Sequence, residues 1–79
     1  MDYDTDKVDE AVLALLYLTR HGGKFETRAW KGHDWDAMDR LYEKGYIGDP
    51  KSKAKSVTLS EEGQARSKEL FCKLFGKTA

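Results

Sequence analysis

The segment from Asp34 to Leu74 runs helix, basic hairpin, helix, and no other feature of this 79-residue chain constrains its fold as strongly. Asp34 is a competent N-cap, and Trp35, Met38, Leu41 and Tyr42 follow as an apolar stripe at helical spacing. Asp36, Asp39, Arg40, Glu43 and Lys44 fill the opposite face, and Gly45 stands where a helix closes on a left-handed residue. Tyr46-Ile47 opens an extended arm. Asp49-Pro50 begins a turn, because proline fixes φ and has no N–H to donate. Val57 and Leu59 on the return arm alternate inward with Ile47. The loop between the arms carries Lys51, Ser52, Lys53 and Lys55; it is too long for a two-residue turn and is expected to be mobile and available for contact. Ser60 then caps a last helix whose first turn holds Glu61 and Glu62.

That last helix shows Gly63, Ser67, Leu70, Phe71, Leu74 and Phe75 on one face. Gly63 and Ser67 are small enough to let a neighbour approach closely. Gly76 ends the helix, and residues 77–79 are expected to fray. At the other end of the chain a helix is expected over about residues 6–20, with Asp4, Thr5 and Asp6 all able to cap it. Val8, Ala11, Val12, Leu15 and Leu16 form its main apolar face, while Leu13, Tyr17 and Leu18 fall elsewhere. A helix apolar on more than one side is either central to the core or shared with a second subunit. Arg20 and His21 suit its negative end, and Gly22-Gly23 stops it. Residues 24–33 have two readings. Phe25, Thr27 and Ala29 alternate as in a strand, whereas Thr27 is equally able to cap a helical turn over Arg28 to Lys31; the short helix is preferred. The first and last helices should pack together, with the Trp35 helix across them.

The chain is expected to be one domain over 1–79, with a small core. Its single cysteine, Cys72, excludes an internal disulfide and suits a reducing cytoplasm. The acidic start is unlike a signal peptide, and the longest apolar run, Ala11 to Leu18, is too short to span a bilayer. Fourteen basic and fourteen acidic residues give a net charge of zero, which argues against a strongly basic nucleic-acid binder. The distribution is uneven, however. Residues 34–50 hold five acids and two bases, while residues 51–59 hold three lysines and no acid.

Leu41-Tyr42-Glu43-Lys44-Gly45-Tyr46-Ile47, followed by Val57-Thr58-Leu59-Ser60-Glu61-Glu62-Gly63, resembles the recognition-helix-to-wing passage of winged-helix bacterial regulators. In that family a threonine is usual where Ser60 stands, and Gly63 matches. The run Ala29 to Asp36, with Asp49-Pro50 and Lys53 to Val57, also resembles a small family of uncharacterised bacterial proteins, which implies no known activity. The expected fold is therefore α+β and winged-helix-like, with three or four helices and a two-stranded antiparallel hairpin as the wing. The resemblance implies a small DNA-binding or transcription-regulatory module. Its departures are an acidic recognition helix and a short segment ahead of it.

Two functions follow as expectations. In the first, double-stranded DNA is contacted by Lys51, Ser52, Lys53, Lys55, Arg40 and Lys31, with the loop lysines on its phosphates and Arg40 at a base edge, where it would serve sequence discrimination. In the second, a protein partner meets Asp36, Asp39, Glu43 and Trp30. Each candidate also has a bland reading. The lysine tip is as well explained by a solvated loop that discourages edge pairing. Trp30 and Trp35 could stack on bases or grip a peptide, or they could fill the core. Core is the reading adopted for Trp35, for which truncation to alanine would then cost about 3–5 kcal/mol. His21, His33 and Cys72 match no metal-ligand spacing. Cys72 lies at the edge of an apolar stripe, as a buried or half-buried inert thiol does. No metal, cofactor, membrane association or enzymatic activity is expected. The surplus apolar residues of helix 6–20 and helix 61–75 suggest a homodimer through those two elements.

Overall fold

A computed structural model describes residues 1–22 and 26–77. It is an α+β fold of three helices and a three-stranded antiparallel sheet, in the order α1 (Thr5–Leu18), β1 (His21–Gly22), β2 (Thr27–Trp30), α2 (Trp35–Glu43), β3 (Ser56–Leu59) and α3 (Glu61–Phe75).

The helix ends form where the side chains provide for them. The Asp4 carboxylate accepts from the backbone N–H groups of Asp6 and Lys7 at 3.0 and 3.2 Å and opens α1. Asp34 accepts from the Ala37 N–H at 3.0 Å and opens α2. At the far end of α2, Gly45 has φ +81°, donates to the Tyr42 carbonyl at 3.0 Å, and lets Tyr46 donate to the Leu41 carbonyl at 3.1 Å. That pair of bonds is a Schellman closure. The Ser60 hydroxyl accepts from the Gly63 N–H at 3.0 Å and donates to the Gly45 carbonyl at 2.6 Å, so one side chain starts α3 and ties it to the end of α2.

The preferred helical turn over Arg28 to Lys31 is not formed. Thr27–Trp30 is a strand, and it is the central one, with sheet order β1-β2-β3. Thr27 pairs with Leu59, Ala29 with Val57 and Trp30 with Ser56. Ala29, Val57 and Leu59 point into the core. On the other face Arg28 donates to the Ser56 hydroxyl at 2.7 Å and to the Ser56 carbonyl at 2.8 Å. The expected two-stranded wing is thereby altered: β3 takes β2 as its main partner. The arm at Tyr46–Gly48 adds only the Ile47–Leu59 bridge, with backbone bonds from Gly48 to Thr58 and from Ser60 to Tyr46. Phe25, the first residue of the alternation, lies outside the described residues, as do Gly23 and residues 78–79.

Helix α1 is the centre of the fold. It packs most extensively on α3, as expected, and then on α2. Of the residues off the main apolar face of α1, Leu13 is as buried as Leu16 and belongs to this core, whereas Tyr17 is half-buried and Leu18 is exposed. Met38 and Leu41 from α2, Ile47, and Leu70 from α3 complete it, with Val8, Tyr46 and Phe71 at its edge. At Gly63 helix α3 passes close against the arm at Tyr46: a Cβ there would overlap the Tyr46 carbonyl. Pro50 is also buried, so the start of the 48–55 loop is anchored rather than free.

Candidate nucleic-acid interface

The loop from Gly48 to Lys55 presents Lys51, Ser52, Lys53 and Lys55 to solvent. Its shape is set by two polar side chains. The Asp49 carboxylate accepts from the Lys51 N–H at 2.9 Å, a local turn for which aspartate is well suited. The Lys31 ammonium, reaching across from the end of β2, donates to the Pro50 carbonyl at 2.9 Å and to the Ser52 carbonyl. Lys31 therefore fixes the loop, and because its partners are neutral carbonyls its charge stays uncompensated at the cleft wall. None of the five ion pairs among the described residues involves Lys51, Lys53 or Lys55.

Arg40 is placed differently from its expected position on the solvent face of α2. Its guanidinium donates three bonds of 2.7–2.9 Å to the Asp9 carboxylate, and Lys44 adds a fourth at 3.0 Å. Asp9 is 1% exposed. Burial pushes its carboxyl up, but the bonds and charges of Arg40 and Lys44 outweigh that and hold it below its ordinary value. The same contacts raise the pKa values of Arg40 and Lys44. Sequence reasoning passed over Asp9. Its signal was the spacing: Asp9 shares an α1 face with Leu13 and Leu16, and an acid on such a face needs a cationic partner.

With Arg40 and Lys44 turned toward α1, the outer side of α2 is left with Asp36 and Glu43 exposed and Asp39 half-buried. Trp35 and Tyr42 join them, 60% and 47% exposed. The core assignment for Trp35 is thus corrected. Nine residues of α2 bury only Ala37, Met38 and Leu41, and Trp35 at the first turn lies past the edge of that stripe. Trp30 is 50% exposed. The two tryptophans line one shallow cleft of about 210 Å³ together with Lys31, Gly32, His33 and Lys55. The Trp30 indole lies directly over Gly32, where any Cβ would collide with the ring. Burial holds the His33 imidazole below its ordinary pKa, and its Nε2 is the buried side-chain nitrogen that lacks a hydrogen-bond partner among the described residues.

Elsewhere, Cys72 is exposed, not half-buried as its helical position suggested. His21 is exposed beside the Thr19 carbonyl. Among the described residues no group of His, Cys, Asp and Glu converges as a metal site would require, and no helix is long and apolar enough to cross a membrane.

The fold and the surface define a small α+β domain with a lysine loop and an aromatic cleft side by side. Residues 4–77 match the family described as a domain of unknown function (DUF6429), and the chain belongs to that family. It is 56% identical over 75 residues to the uncharacterized protein y4hR of Sinorhizobium fredii (strain NBRC 101917 / NGR234), covering 95% of this chain and 97% of the relative. No solved structure matches it.

Proposed function

We propose that the chain is a winged-helix-like DNA-binding module of the cytoplasm, of a transcription-regulatory kind, that meets the phosphate backbone through its loop and not through a recognition helix. The likeness to a winged helix rests on α2 closing at Gly45, the arm at Tyr46–Gly48, the loop, β3, and the entry into α3 at Ser60 and Gly63. The departure is the β1–β2 hairpin, which occupies the place of a second helix. The observation that carries the functional reading is the anchored loop. Lys51, Lys53 and Lys55 are exposed and unpaired among the described residues, on a segment held by Lys31 and by buried Pro50. Holding the loop in advance lowers the ordering cost of binding a polyanion. The contact is sequence-tolerant, because phosphates carry no base information.

A second reading is favoured by α2 itself. Its cations are spent on Asp9, and Trp35, Asp36, Tyr42 and Glu43 form an exposed acidic and aromatic strip that suits a basic protein partner better than a phosphate backbone. Amide chemical-shift mapping with DNA separates the two. The proposal expects shifts with duplex DNA concentrated at residues 51–55, with residues 36–43 unmoved. Shifts absent at the loop, even at low salt, would leave the partner-protein reading as the account.

A further inference from the structure

We infer that the cleft between Trp30 and Trp35 takes the unpaired bases of a single-stranded nucleic acid, whose phosphates run along Lys55, Lys53 and Lys51. The inference rests on the loop reading above and adds the form of nucleic acid. Four observations carry it. Both tryptophans of the chain are half or more exposed and line the same cleft, although the core around Leu13, Leu16 and Met38 is otherwise closed. The cleft has no carboxylate among its six lining residues, in a chain with fourteen acids. The Trp30 indole rests against Gly32 and is still 50% exposed, so part of the ring is open to a ligand. Lys55 belongs to the cleft wall and is also the last lysine of the loop, so the lysine loop leaves directly from the cleft.

Exposed indoles beside lysines are the chemistry that receives a planar base and its phosphate. A free nucleotide would satisfy the cleft and Lys55 but leave Lys53 and Lys51 without a role, so the occupant is a strand. In a duplex the bases are stacked inside the helix and their faces cannot reach the indoles; the lysines alone would engage it. Base contact by stacking is tolerant of sequence, because every base has a π-face.

The test uses the full chain with a ten-nucleotide oligothymidylate, its duplex with oligoadenylate, and thymidine monophosphate, at low salt. The readouts are tryptophan fluorescence and anisotropy. The expected result is quenching by the single strand and tighter binding to it than to the duplex. Trp35→Ala should weaken single-strand binding by roughly 5- to 150-fold, the range for loss of one stacking ring, and leave duplex binding unchanged. Trp30→Ala should do the same. Because Trp30 leans on Gly32 and its loss could loosen the fold, Trp30→Phe, which retains part of the stacking, is measured beside it. The cleft assignment is overturned if the single strand binds no tighter than the duplex, or if the Trp35 variant binds it unchanged. Continued weakening of duplex binding by lysine-to-alanine changes would then leave the loop reading intact. Monophosphate binding as tight as the strand would overturn the strand as occupant. Absence of binding to all three would overturn the loop reading together with the cleft.

Discussion

At the scale of single residues, Asp9 and Trp35 exchange the places their chemistry suggests, and each makes a prediction. Asp9 is buried because Arg40 and Lys44 converge on it from α2, so its charge joins α1 to α2. Asp9→Asn should destabilise the fold by about 1.5–3 kcal/mol, the range for hydrogen bonds to a charged group. The pH dependence follows from the direction of the shifts. The folded Asp9 carboxyl lies below its ordinary 3.8, so its contribution is complete above that pH and is lost as pH falls through the folded value. Lys44 lies above its ordinary 10.5, so its contribution is complete below that pH and is lost as pH rises through the folded value. Urea midpoints measured from pH 2 to 7 should fall more steeply at the acid end for the wild type than for Asp9→Asn; equal slopes would show that the ion group adds no stability. Arg40→Ala should likewise lower the melting temperature while leaving any DNA sequence preference unchanged. Trp35→Ala, by contrast, should leave stability within about 0.5 kcal/mol of wild type, as for an exposed position. A large drop in melting temperature would return that ring to the core.

At the scale of elements, the stretches whose ends are set by local chemistry were legible in the sequence. Asp34, Gly45, Ser60 and Gly63 announced α2, its closure, and the start of α3, because caps and left-handed glycines act over a few residues. The closeness at Gly63 was readable too, from two small residues on an apolar face. Gly63→Ala should cost about 1–3 kcal/mol or more by overpacking against the Tyr46 carbonyl, measurable as a lower denaturation midpoint. A stable alanine variant would mean that the chain can retreat there. Strand β2 was not legible. Thr27 has a local use as a cap, while its role as a strand residue depends on Leu59, thirty-two positions away along the chain. The facing of α2 was misread for a related reason. Aromatic residues were assigned inward and cations outward, and only the packing of α1 on α2, which brings Asp9 opposite Arg40, reverses the two. The candidate site shared that fate: its lysine tip was visible as a charge run, but its cleft needed β2 and the start of α2 to be placed together.

At the scale of the whole molecule, three kinds of surface can be distinguished, with Trp35 common to the first two. The lysine loop and tryptophan cleft are adjacent through Lys55, the acidic strip lies on the outer side of α2, and apolar side chains gather near the α1–α3 pair. In that last region Tyr17, Phe71 and Phe75 form a row with ring centroids 5.3 and 5.5 Å apart. Leu74 and Phe75 remain about half exposed, whereas Leu13 and Leu70, expected to serve a subunit contact, are used in the chain's own core. Self-association through the remaining row is therefore expected to be weak. Light scattering should show a mass that rises with concentration, and Phe75→Ser should abolish the rise; a constant monomer mass across that range would remove the dimer from the account.

The central claim is that the loop lysines, and not α2, supply the attraction for nucleic acid. Its most direct test is binding anisotropy across a salt series, with wild type and the Lys51→Ala, Lys53→Ala, Lys55→Ala triple variant. Three phosphate contacts imply a log-log salt slope of about −3 on duplex DNA and about −2 on a single strand. The account predicts those slopes for the wild type and their near-complete loss in the triple variant, which should fold normally because all three side chains are exposed. A slope that survives the triple change, or no binding at low salt and tens of micromolar protein, would contradict it.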